Sequence, residues 1–152
     1  MTPPIPRMPL YLGMAGLIPF LWGALSAISP ALQSTGIDVL GPRFVGPYVA
    51  LFYGAIILSF MSGVLWGFAA RLEDKQAATG FFLSVLPALW AFFTTGGGVN
   101  SSAITLMMGF LGLLALDWYF WRLGAAPEWW MQLRMLLTAI VVASLAVIVF
   151  FA

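Results

Sequence analysis

Asp117 and Arg134 stand at equal distance on either side of an Ala125–Ala126 turn. The stretch that contains them, LDWYFWRLGAAPEWWMQLR, holds four of the chain's seven tryptophans and four of its eleven charges. Two chemistries are open to Asp117. Beside a second carboxylate (Glu73, Asp74 or Glu128 are the candidates) it would serve general acid–base work, but no spacing in the sequence brings those groups together. Beside Arg134 it would form an ion pair joining two antiparallel helices. Both residues lie on the order of 10 Å in from the turn at ~1.5 Å per helical residue. A lone charge at that depth in a bilayer costs a few kcal/mol and a pair costs less. The competing reading has Arg134 snorkelling to phosphate while Asp117 caps a loop donor. The pair is the favoured expectation.

Other reactive groups are scarce. With no histidine and no cysteine, the commonest general base, thiolate nucleophiles and the usual transition-metal ligands are all missing. Ser59 and Ser62 have no basic partner in sequence, and the single lysine, Lys75, sits in a polar loop, so a buried Ser–Lys dyad is not available. A haem would need axial ligation without histidine. No Asp, Glu, Lys or Arg falls in the middle third of any apolar segment, where proton relays and ion-coupled carriers normally place one. Ser59, Ser62, Ser84 and Thr105 are the polar groups near that depth, and each can bond its own helix carbonyls. These residues point to a protein that is not an enzyme and that carries no metal or cofactor. The absence of a basic run argues against a nucleic-acid partner.

The elements that must position these groups follow from composition. The chain is 62% hydrophobic and 7% charged over 152 residues, against roughly a quarter charged in soluble domains. So much apolar surface has to face lipid, so the fold class is an all-α integral membrane protein. It is read as one transmembrane domain, residues 1–152, a bundle of five spans at about 10–29, 48–70, 80–95, 101–121 and 131–152. The first apolar run exceeds the ~7–15 residues of a signal peptide and is read as a retained helix. Arg7, Arg71, Lys75, Arg122 and Arg134 fall on one side of the membrane and only Arg43 on the other. The positive-inside rule then makes the N-terminus cytoplasmic.

Within that frame, Ala55, Ser59, Gly63 and Gly67 recur every fourth residue along span two. A face of small residues lets helix backbones approach closely. The expectation is a packing hub inside the bundle, with a dimer seam as the alternative. Pro19 and Pro87 each remove a donor from spans one and three and kink them. Paired Pro-broken helices can also line a midplane site in carriers. The sequences around them, LIPFLW and VLPALW, form a faint echo of each other. Trp118, Trp121, Trp129 and Trp130 read as an interfacial belt.

Taken in order, GLIPF, YGAIILSFMSGVLWGFA, SVLPALWAF, LD and PEWWMQLRMLLT resemble the motifs of a family of small bacterial inner-membrane proteins of unknown function, itself similar to an uncharacterised human mitochondrial transmembrane protein. The resemblance runs from about Leu10 to Thr138. Where the family motif has Gly, this chain has Ser62 ahead of Gly63. The resemblance implies an energy-transducing membrane, here the bacterial inner (cytoplasmic) membrane, and supplies no reaction or ligand. The function expected is a non-catalytic accessory, assembly or structural component, surrounded by the lipid bilayer and associated with other membrane-protein subunits. The alternative is a small-solute or lipid carrier built on the Pro-broken spans one and three.

Overall fold

The computed structural model describes residues 2–152, and among these every regular element is helical. The first apolar segment forms two helices, α1 (Arg7–Ala15) and α2 (Ile18–Ile28), which together make one candidate membrane span. The break has a local cause. Pro19 is the second residue of α2 and cannot donate to the carbonyl of Ala15. Leu17 N–H bonds Met14 O, three residues back, so the chain passes the proline through one tight turn.

The segment after it, read from sequence as a connection, folds as α3 (Pro30–Leu40) and a 3-10 turn (Pro42–Phe44). Ser29 caps α3 by accepting from Leu32 N–H at 3.4 Å, and Pro30 takes the first helical position, where its missing donor costs nothing. The four remaining spans are α4 (Gly46–Ala69), α5 (Asp74–Thr94), α6 (Val99–Arg122) and α7 (Trp130–Phe151), and all are long and apolar enough to cross a bilayer.

α4 lies at the centre, packed against α2, α5 and α6, while α6 also packs along α7. The face that α4 uses differs from the one expected. Its buried residues are Gly46, Ala50, Gly54, Leu58, Met61, Ser62, Leu65 and Ala69. The close approach is on this face: a Cβ added to Gly23 of α2 would lie 2.9 Å from Ala50 Cβ and 3.1 Å from Gly46 O. The stripe read as the packing hub lies one residue, about 100°, round the helix. There Ser59, Gly63 and Gly67 are exposed and Ala55 is half-buried, and a Cβ on Gly63 or Gly67 would meet nothing within 4 Å. The internal-hub assignment of Ala55, Ser59, Gly63 and Gly67 is therefore corrected. Small side chains do not by themselves say which face meets a helix, because lipid and a neighbouring helix are about equally apolar.

Pro87 lies inside α5, which continues through it. Ser62 accepts the N–H of Ala88 at 2.8 Å, so α4 receives a backbone donor one residue after the proline in α5. This contact rests on the Ser62 hydroxyl. The tryptophans of the two echoed motifs also tie elements together. Trp22 donates to Phe44 O at 2.8 Å and Trp90 to Thr105 O at 2.7 Å.

Candidate functional site

The two most buried charges meet at the end of the bundle that carries the α6–α7 turn. α6 ends on Gly124, whose φ of +72° suits glycine. Gly124 N–H bonds Trp121 O and Ala125 N–H bonds Phe120 O, a paired closure that reverses the chain at once. The turn leaves Ala125 O available to Arg71 Nη1 at 2.9 Å, which pins the C-terminal end of α4 beneath it.

This short reversal sets α6 and α7 antiparallel and brings Asp117 and Arg134 to one depth. Arg134 Nε donates to Asp117 Oδ2 at 2.7 Å, with the two residues 5% and 0% exposed. The second carboxylate oxygen, Oδ1, accepts from Trp130 Nε1 at 2.8 Å. Trp130 is thus a third member of the cluster. Its ring stands edge-on to Phe68 of α4 at 5.1 Å between centroids, which links the cluster to the central helix. Sequence reasoning placed Trp130 in an interfacial belt and missed its role as a donor. A signal was present: Trp130 lies four residues before Arg134, on the same face of α7.

The other expected belt residues stay at the periphery. Trp118 is exposed and carries the Arg122 guanidinium 5.0 Å above its ring. Trp121 donates to Glu128 O at 3.1 Å, and Trp129 is half-buried. Glu73, Asp74 and Glu128 are exposed, whereas Asp117 is sealed inside the bundle, so the structure does not bring these carboxylates to one site.

Behind the ion pair a cleft of about 510 Å³ runs between α1–α2, α4 and α7. It extends along α7 from Trp129 to Val141, about 18 Å at the helical rise. It passes the Pro19 break at Gly16 and Leu17, and its walls are mostly aliphatic and aromatic. Arg134 and Thr138 contribute to its wall, and Nη2 of the one and Oγ1 of the other are buried beneath that surface with no hydrogen-bond partner among the described residues. A second, smaller recess of about 310 Å³ lies beside Pro87, Trp90 and Gly109 and shares no lining residue with the first. The carrier alternative pictured one cavity between spans one and three. The larger cleft lies instead between spans one, two and five.

Comparison with known proteins agrees with this architecture without adding an activity. No solved structure matches the chain. Transmembrane protein 69 of Xenopus tropicalis is 36% identical over 144 residues, covering 92% of this chain and 53% of that protein. Transmembrane protein 69 of Mus musculus is 28% identical over 148 residues, covering 93% and 55% respectively. The chain therefore spans about half the length of the curated relatives it matches. Residues 5–150 match the family described as "Protein of unknown function (DUF3429)". A multi-pass, all-helical membrane protein matched along nearly its whole length in this way belongs to that family.

Proposed function

We propose that the protein is a non-catalytic accessory or assembly component of an energy-transducing membrane, the bacterial inner membrane, with its N-terminus in the cytoplasm. One observation carries this reading: four of the eight buried polar side chains among the described residues, Ser26, Ser62, Asp117 and Arg134, join helix to helix. Ser26 accepts from Gly46 N–H at 2.8 Å, Ser62 from Ala88 N–H at 2.8 Å, and Asp117 from both Trp130 and Arg134. That Asp117 has both oxygens occupied and no exposure supports an architectural role for it. The distribution of cations, with Arg7, Arg71, Lys75, Arg122 and Arg134 toward one face, supports the orientation.

The test is purification of the full chain from its native membrane in mild detergent, followed by mass spectrometry of what accompanies it. Membrane subunits recovered in constant proportion are the expected result. A chain that elutes alone, and that moves a lipid or small solute between leaflets of reconstituted vesicles, would favour the carrier. That second reading draws on the apolar recesses beside Pro19 and Pro87, which would have to act separately because they share no wall.

A further inference from the structure

We propose that Arg43, lying over the rings of Phe44 and Phe52, holds the phosphate of a phospholipid in the leaflet at the α3 end of the bundle. The inference goes beyond the accessory role and does not depend on it.

Residues 29–45 join the end of α2 to the start of α4, so they sit at the opposite end of the bundle from the α6–α7 turn. α3 has 11 residues, about 16 Å at the helical rise, and is too short to cross a bilayer. It is laid back against the bundle rather than raised from it. Gly36 is its one buried residue, and a Cβ there would run into Val45 and Trp22. Gly41, at a φ of +91°, then turns the chain into the 3-10 segment. Trp22 of α2 donates to Phe44 O, which fixes that segment to the bundle. Arg43 is therefore carried on a pinned turn and not on a loose loop.

The surroundings of Arg43 are those of a bilayer interface. Val39, Leu40, Phe44, Tyr48 and Phe52 are all exposed, Val39 to 75%. An apolar patch of this kind is unfavourable in water, and a short helix with apolar flanks at the end of a span settles in the headgroup layer. The Arg43 guanidinium lies 5.2 Å from the centre of the Phe52 ring and 5.9 Å from that of Phe44. Ring faces attract a cation but supply no anion, and a stacked guanidinium keeps its N–H groups free at the edge. Arg43 makes no ion pair among the described residues. Asp38 is the only acidic side chain at this end of the bundle, and it is exposed and does not reach Arg43. An arginine at the edge of the hydrocarbon is costly without an anion, and the guanidinium fork matches two phosphate oxygens. A phospholipid supplies that phosphate at this depth. The exposed rings and the apolar flank of α3 lie where its acyl chains begin, which selects a lipid over a free phosphate.

The experiment uses the full chain in maltoside micelles, a detergent with neither phosphate nor charge. The chain has no cysteine, so an environment-sensitive dye on Val39→Cys reports from α3 alone. Short-chain phosphatidylglycerol, the diacylglycerol with the same chains, and glycerol phosphate are titrated separately. The phospholipid is expected to give a saturable change at lower concentration than the diacylglycerol, and glycerol phosphate to give none. Arg43→Gln should weaken the phospholipid about tenfold, the low end of the worth of a charge-assisted hydrogen bond. It should leave the diacylglycerol response unchanged. Arg43 is exposed and unpaired within the chain, so Arg43→Gln is expected to fold and to melt as the parent does without lipid. The proposal is overturned if the parent does not prefer the phospholipid to the diacylglycerol, or if Arg43→Gln keeps that preference. Saturation by glycerol phosphate alone would show a free-phosphate site and overturn the lipid assignment.

Discussion

Replacing the ion pair with leucines is the perturbation that most directly tests the account of Asp117, Trp130 and Arg134. Each single change strands a charge. Arg134→Leu leaves a carboxylate at 0% exposure with only the Trp130 N–H, and Asp117→Leu leaves a guanidinium with no acceptor. Either is expected to cost about 3–5 kcal/mol, the usual loss when one partner of a buried pair is removed. The double substitution strands nothing and fills the site with hydrocarbon, so it should fall within about 2 kcal/mol of the parent. The difference between the double and the sum of the singles is then at least about 4 kcal/mol. Trp130→Phe removes one hydrogen bond to a charged acceptor, worth about 1.5–3 kcal/mol, plus some packing against Phe68. On the double-leucine background only the packing part should remain, because the acceptor is gone. Reversible unfolding in mixed micelles, followed by far-ultraviolet circular dichroism, measures all five variants. Additive singles, or a Trp130→Phe cost that is the same on both backgrounds, would refute the claim that the three side chains act as a unit.

Three further outcomes are expected. Ser62→Ala should cost about 1–3 kcal/mol by leaving the Ala88 N–H without its acceptor, and most of that loss should disappear on a Pro87→Ala background, where α5 can close its own ladder; amide exchange at Ala88 reads both. Gly63→Leu should change stability by no more than about 0.5 kcal/mol, whereas Gly109→Leu should cost about 1–3 kcal/mol or more by overpacking, since a Cβ there would lie 2.7 Å from Leu58 Cδ2; thermal melts in one detergent separate the two. In intact cells an impermeant thiol reagent should label Asn100→Cys and spare Gln76→Cys, and the reverse pattern would invert the proposed orientation.

The spans were legible because a bilayer demands long apolar helices and the chain has few other kinds of segment. The meeting of Asp117 and Arg134 was legible for a simpler reason: two residues equidistant from a tight turn must reach the same depth. What could not be read was rotation about each helix axis. In a soluble protein the polar face of a helix marks its outside, but here Gly63 and Gly67 look outward and Gly54 inward with nothing in their chemistry to separate them. α3 was hidden differently. Ser29, Pro30 and Gly41 are ordinary start and stop signals for a helix, but in a segment too short and polar to cross a membrane the same residues serve equally as loop punctuation. The larger cleft belongs to no single segment, since three parts of the chain must assemble before it exists.

Polar partnership recovers what hydrophobicity cannot give. Ser62 and Gly63 are neighbours about 100° apart on α4, and one is buried while the other faces outward. The difference is that Ser62 has a partner waiting: Ala88, next to Pro87 in α5, presents an N–H to it. The same logic orients α7, because Arg134 must turn toward Asp117, and Thr138, one turn further on, is carried to the same side. In this chain an inward face is recognised by the donor or acceptor it answers.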